Sequence, residues 1–569
     1  MPIIATFLNG YDDTGTPDNV TGTISSYDIV RFEVDATATT VGEYYFDMRI
    51  TNFAFINEIQ IFGTGLYPKT VDLSAAQLIS GQGISYDLVV NSIGNPLSVE
   101  QVRVYMGNET SVSLTNWTFQ DWGSNDNVII VGDTDAEIIA LSPVADQVYA
   151  DDGDDTIVYT SGQDGLSGEI VDGGGGADTL QISFDTSATD TVTDLRDVNF
   201  TSIEGITFDA AEPTMDTTVQ LKASEVKSLS SMARDLRIEG DDDPGNTETV
   251  QVYMVTTTTL DLSQWYFVNW GGQGDAVEIL GDGSDETITG TAALDKIYAG
   301  AGDDTIRYLN GKDGDAGEIV DGGAGNDRVQ IKIETGAPDT DFDLRTVDFR
   351  YIEELQFVVI PKLDSTLHLN AGQIGSGLSA TMLIDGQYSV DTMESIEIHM
   401  DAVSVDLSGW TFLSWGGSWG GDIITILGDA DAETITGSSL GDNIYGNGGA
   451  DSLSGGGGDD LLDGGADADD MQGGAGDDTF RYVDGQDGDA GEGADGGAGS
   501  DTLWLSLASG APDSTFDLRA VNFSSIENIQ FTAGGDADAT LSLNAAGIGA
   551  GFDANTSVAG DAGAANTET

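Results

Sequence analysis

"GGGGDDLLDGGADADDMQGGAGDDTFR", residues 455–481, divides into three consecutive nines. In each, the sixth residue is acidic (Asp460, Asp469, Asp478) and the eighth is apolar (Leu462, Met471, Phe480). Glycine-rich acidic segments are commonly disordered, because they bury too little apolar surface to offset chain entropy. A strict apolar period argues against that reading here. The last three residues of each nine predict a short strand whose middle side chain turns inward. Glycines at the first, second and fourth positions allow backbone conformations closed to other residues, so carbonyls can converge on one point. The acid then adds a charged oxygen to that point. Two nines make one coil, so each nine lies over the next but one at strand spacing, about 4.8 Å.

The register extends back unbroken to Gly428, giving six nines over 428–481. Shorter sets of three occupy 132–158 and 281–307, and isolated nonapeptide-like stretches occupy 173–181, 322–330 and 496–504. The sixth position is acidic and the eighth apolar throughout the three sets. Calcium takes six to eight oxygens at roughly 2.3–2.6 Å, which one such loop cannot supply and two stacked loops can.

These nines resemble the repeats-in-toxin (RTX) family of haemolysin-type calcium-binding repeats, whose signature is this glycine- and aspartate-rich nonapeptide. The match is strongest over 446–481. The resemblance implies an all-β fold of parallel β-roll or β-solenoid modules in tandem, with Ca²⁺ between the loops of alternate nonapeptides. Carried onto this sequence, Asp451 pairs with Asp469, Asp460 with Asp478, and Asp442 with Asp460. Gly446, Gly448, Gly456, Gly458, Gly474 and Gly476 shape those loops, and Asp155 and Asp304 are the equivalents in the shorter sets. The first nonapeptide of each set departs from the pattern with Gly-Asp and a Glu at position six, and the second lacks the glycines ("LSPVAD", "GTAALD", "GSSLGD"). Calcium is therefore expected at fewer positions in the shorter sets.

A second acidic constellation follows each set, at Asp164, Glu169, Asp172 and Asp178, then Asp313, Glu318, Asp321 and Asp327, then Asp487, Glu492, Asp495 and Asp501. A nonapeptide-like "GGAGND" completes it, so further calcium ligation by Asp172, Asp178, Asp321, Asp327, Asp495 and Asp501 is expected.

A longer repeat organises the chain. "FDMRITNFAFINEIQIF" at Phe46 is echoed by "TDLRDVNFTSIEGITF" at Thr193, "FDLRTVDFRYIEELQF" at Phe342 and "FDLRAVNFSSIENIQF" at Phe516. These landmarks delimit an N-terminal β segment (1–45), three modules (46–192, 193–341, 342–515) and a fourth that stops short (516–569). The ending "GDAGAANTET" aligns with "GDDDPGNTET" at 240–249, where a strand-like "VQVYM" follows, so truncation is expected. Between landmarks lie short alternating runs such as "TLHLN" and "SIEIHMD", read as a β-solenoid with a string of small β-sandwiches as the rival. One or two helical turns are expected near "LKASEVKSLSSMARDL".

Composition narrows the function. The 569 residues carry 98 Asp and Glu against 19 Lys and Arg, a formal net charge of −79. Nucleic acid is excluded as a partner, because its binding rests on cationic neutralisation of phosphates. The chain has no Cys and only two His, His368 and His399, which are read as ordinary strand residues. Neither a secretory signal peptide nor a membrane-length apolar segment is evident. Trp117 and Trp122, Trp265 and Trp270, and Trp410 and Trp415 form pairs. They are read as core or cap packing, with a sugar-stacking platform as the alternative. No catalytic motif stands out. The expectation is a non-enzymatic, calcium-dependent repeat protein, secreted by a signal-peptide-independent (type I) route, with a structural or adhesive role towards cell-surface or extracellular-matrix components. The rival is the repeat region of a secreted enzyme or toxin whose catalytic domain lies outside this chain.

Overall fold

A computed structural model describes residues 3–8, 19–21, 28–34, 44–63, 68–79, 84–94, 99–160, 165–184, 191–210, 215–226, 231–241, 245–271, 274–336, 340–358, 363–387, 392–415, 421–483, 488–506, 514–532, 539–544 and 551–559. The expected Asp164, Asp487 and the terminal "GDAGAANTET" lie outside these residues. The chain forms two compact units, 1–282 with 291–296, and 283–290 with 297–569.

In the first unit, short strands stack into long sheets. One seven-stranded sheet orders the segments from Tyr44–Asp47 to Asn199–Thr201, and another those from Ser111–Ser113 to Tyr266–Val268. Neighbours in both are parallel, as Asn127–Val131 against Glu100–Tyr105 and Thr156–Thr160 against Thr179–Phe184. In the second unit a ten-stranded sheet runs from Asp341–Asp343 to Phe552–Ala559, and a six-stranded sheet from Ser404–Asp406 to Asn522–Ser524. Sandwiches are built from antiparallel strands. Parallel pairing from coil to coil instead makes the fold a β-solenoid.

The alternating runs explain the packing. Glu248–Tyr253 and Glu394–His399 bury every second side chain, as a strand with one face on a core must. Stacked coils turn those residues into columns. Ile435, Leu453, Met471 and Ala494 are register partners in sequence, as are Ile444, Leu462, Phe480, Leu503 and Ile529 on the facing sheet. Leu453, Leu462, Met471 and Phe480 are fully buried. The eighth position of each nonapeptide is thus the core, and alternate nonapeptides feed opposite sheets. Among the described residues helix is confined to short pieces, Ala223–Val226 within the expected stretch, Ala75–Ile79 and a 3-10 turn at Ala371–Gln373 elsewhere.

Candidate metal centre: ladders of buried carboxylates

Stacking places the acid at position six directly beneath its counterpart two nonapeptides earlier. The Asp451 N–H donates to Asp469 Oδ1 at 2.9 Å, and the Glu433 N–H to Asp451 Oδ1 at 2.8 Å. On the other side Asp442, Asp460 and Asp478 donate in turn to Asp460, Asp478 and Asp501 at 2.8, 3.0 and 2.9 Å. The three expected pairings are therefore each brought together. The shorter sets repeat the arrangement. Glu137 donates to Asp155 and Asp155 to Asp178 at 2.7 and 2.8 Å, and Glu286 to Asp304 and Asp304 to Asp327 at the same two distances.

Eight of these carboxylates use one oxygen on the ladder. The other is left bare: Oδ2 of Asp155, Asp178, Asp304, Asp327, Asp451, Asp460, Asp478 and Asp501 is shielded from solvent without a hydrogen-bond partner. A backbone carbonyl from the next coil approaches the same place. At Gly446, an added Cβ would collide with both Asp451 Oδ2 and the Gly464 carbonyl. Gly455 stands in the same relation to Asp460 Oδ2 and the Gly473 carbonyl, and Gly473 to Asp478 Oδ2 and the Gly496 carbonyl. First-position glycine therefore keeps open a cradle where two oxygens converge.

The second and fourth positions have a different requirement. Asn447 and Gly449, Gly456 and Gly458, Gly465 and Asp467, and Gly474 and Gly476 all have positive φ, the left-handed region that favours glycine. The expected roles of Gly456, Gly458, Gly474 and Gly476 thus rest on φ, and that of Gly446 on close approach. Gly448 has neither positive φ nor a neighbour closer than 3.9 Å to an added Cβ. "GGADAD" is the irregular loop, with Asp467 held at φ 77°.

Burial of stacked acids without cations has a clear electrostatic signature. Desolvation, followed by repulsion from neighbouring acids, raises Asp460 to about 8, Asp469 to about 7 and Asp478 to about 6. Desolvation likewise raises Asp178 and Asp327 to about 6. Asp155, Asp304, Asp451 and Asp501 shift in the same direction for the same first reason.

Several residues depart from expectation. Asp442, expected as a ligand, is instead satisfied within its own nonapeptide by the Ser438 N–H at 2.6 Å and hydroxyl at 3.2 Å. Ser142 does the same for Asp146, and Thr291 for Asp295. A hydroxyl at position two thus closes the nonapeptides that lack glycine at the second and fourth positions. Among the described residues of the second constellation, only Asp178, Asp327 and Asp501 join the ladders. Asp172 and Asp321 sit half-buried on strands, Asp321 3.9 Å from Arg350, and Asp495 is exposed. Glu169 and Glu318 accept hydrogen bonds from the Tyr159 and Tyr308 hydroxyls at 2.6 Å, and are occupied structurally.

Three ladder members escaped the sequence reading. Glu204, Glu353 and Glu527 accept from the N–H groups of Asp178, Asp327 and Asp501 at 2.8, 2.9 and 2.8 Å, ending the ladders that run through those three aspartates. Each lies in the "IE" of a long-repeat landmark, which was the available signal. The residue two before it, Ser202, Tyr351 or Ser525, has φ of 51–55° and turns its carbonyl into the last cradle, against Gly173, Gly322 or Gly496. Position-five acids were also missed. Asp459 Oδ1 accepts from the Asp477 N–H, and Asp477 Oδ1 from the Ser500 N–H, forming an outer exposed ladder.

The tryptophans are packing residues in the main. Trp117, Trp265 and Trp410 are buried, so Trp410 offers no face to a sugar. Their half-buried companions Trp122, Trp270 and Trp415 lie against Phe119, Phe267 and Phe412, with ring centroids 4.9, 5.4 and 6.1 Å apart.

Comparison with known families agrees with the geometry. The model of the RTX calcium-binding nonapeptide repeat matches four times, at residues 131–166, 280–314, 427–462 and 445–480. The chain carries RTX calcium-binding nonapeptide repeats. No curated protein matches it. The RTX matches cover the three nonapeptide sets and a minority of the remaining solenoid.

The residues present fit calcium. It is a hard cation that takes carboxylate and carbonyl oxygens, the two donor types that converge at the first-position glycines. Oδ2 of Asp451, Asp460, Asp478 and Asp501, with the facing carbonyls, would hold the ions of the long RTX set, and those of Asp178 and Asp327 the equivalents in the shorter sets. At Asp155 and Asp304 the first position is Ala150 and Ala299, which already carry a Cβ. No described helix is long and apolar enough to cross a membrane.

Proposed function

We propose that this protein couples calcium binding to the folding of an extracellular, non-enzymatic β-solenoid with a structural or adhesive role. The observation that carries the reading is the row of solvent-shielded, unpartnered Oδ2 atoms along each ladder. Leaving one partner of a buried charge pair missing costs about 3–5 kcal/mol, so a column of bare carboxylates opposes closure. A divalent cation between the loops reverses the sign of that interaction.

Binding to the folded form alone adds about 2.7 kcal/mol per site at one hundred times the dissociation constant. Extracellular calcium modules bind at about 0.1–1 mM, far above cytosolic free calcium. The chain therefore stays open during synthesis and closes after export, by a signal-peptide-independent route. Its closed surface, still strongly acidic, presents a solvated face to cell-surface or matrix partners in a salty medium.

Far-ultraviolet circular dichroism of the chelated full chain tests this reading. Millimolar Ca²⁺ increases the ordered β signal and NaCl of equal ionic strength does not. A spectrum indifferent to calcium would remove the folding switch.

A further inference from the structure

The chain contains only two histidines in 569 residues, and the solenoid brings them together. His368 lies on Ser365–Asn370 and His399 ends Glu394–His399, the neighbouring parallel strand. Register places His368 opposite Glu397. Glu397 and His399, two residues apart on one strand, share a face. His368 Nδ1 is 3.3 Å and His399 Nε2 2.7 Å from the same atom, Glu397 Oε1. The ring centroids are 5.8 Å apart, and the donor atoms of all three residues lie within 4.8 Å of one another.

Both ring nitrogens are shielded from solvent, and neither is in hydrogen-bonding geometry with any partner. Two imidazole nitrogens thus converge on one carboxylate oxygen without being satisfied by it. The surrounding charge does not oppose a cation. Arg345, whose field reaches Glu397, is held by Asp343 through contacts of 2.8 and 2.6 Å.

We propose that His368, Glu397 and His399 form a separate metal site for a borderline divalent ion of the Zn²⁺ class. Nitrogen donors distinguish it from the calcium ladders, because imidazole suits Zn²⁺, Cu²⁺ and Ni²⁺ whereas calcium takes oxygen. Tetrahedral donors at about 2.0–2.1 Å from zinc stand roughly 3.3 Å apart. The His368 contact to Glu397, 3.3 Å, stands at that separation, and the His399 contact, 2.7 Å, is shorter. The three side chains are 23–30% exposed, so the cluster lies at the solenoid surface. The site ties two adjacent coils together.

The test uses the full chain saturated with Ca²⁺, so that the oxygen sites are occupied, and titrated calorimetrically with Zn²⁺ at pH 7.5. One Zn²⁺ binds with micromolar or tighter affinity. His368→Gln and His399→Gln each weaken it at least tenfold, and the double variant abolishes it while its Ca²⁺-induced β signal stays unchanged. A tight Zn²⁺ site that survives the double substitution, or none in the parent chain, overturns the proposal. Electron paramagnetic resonance of one equivalent of Cu²⁺ on the unmodified protein needs no variant to fold. Hyperfine structure from two nitrogens supports the site, and an all-oxygen spectrum overturns it.

Discussion

The ladder aspartates Asp451, Asp460 and Asp478 have two oxygens in two different environments. Oδ1 is consumed by the backbone of the preceding coil and Oδ2 is bare, so a single Asp→Ala change removes a ladder hydrogen bond and an ion ligand together. Asp460→Ala and Asp478→Ala are expected to weaken the same calcium ion, and the double variant to lose less than the sum of the single losses. Calcium titration of the four proteins in a double-mutant cycle measures this, and additive losses would argue against shared ligation. The raised carboxyls add a pH dependence. In chelator, the folded state retains protons on Asp460, Asp469 and Asp478 up to about 8, 7 and 6, whereas unfolded Asp titrates near 4. The folded state therefore binds more protons across that window, and its stability falls as pH rises through it. Thermal melts in EDTA should show a higher midpoint at pH 5.5 than at pH 8, and excess Ca²⁺ should cancel or reverse the order. Position-six acids were legible because an eighteen-residue coil repeats without interruption. Glu204, Glu353 and Glu527 were not, because the ladder steps reaching them lengthen to 26 residues and lose the nonapeptide register.

At the scale of the strand and loop, the eighth residue and the first glycine are two halves of one design. Phe480 is fully buried between Leu462 and Leu503 in its column. Phe480→Ala is expected to destabilise the calcium-loaded protein by about 3–5 kcal/mol, the usual cost of such a cavity, read from denaturant melts in saturating Ca²⁺. Gly473→Ala probes the loop instead. Its Cβ would meet Asp478 Oδ2 and the Gly496 carbonyl, so calcium affinity falls while the hydrophobic column is untouched. An unchanged affinity in that variant would show that the cradle is not where the ion sits. Strand positions were readable from alternation. Their parallel pairing was expected from the stacked nonapeptides and the RTX resemblance, but alternation alone left a sandwich as a rival between the landmarks, since both alternate inward and outward residues. The His368–Glu397–His399 cluster escaped for the same reason: it exists only once Ser365–Asn370 is known to stack on Glu394–His399.

For the molecule as a whole, a formal charge of −79 is carried by a chain whose described strands pair with their neighbours in long parallel sheets within each unit. Stability in such an array is close to a sum of coil and interface terms. On the proposed reading, the acid-rich coils of 428–483 are expected to be its weakest link without calcium and among its most ordered with it. The hydroxyl-closed nonapeptides, with Asp146, Asp295 and Asp442 already satisfied, are expected to need no ion. Hydrogen–deuterium exchange on peptides spanning 446–481 tests this most directly. The backbone amides of this segment should exchange slowly in millimolar Ca²⁺ and rapidly in EDTA supplemented with NaCl to the same ionic strength. Equal protection in the two conditions would contradict the claim that calcium closes the ladders.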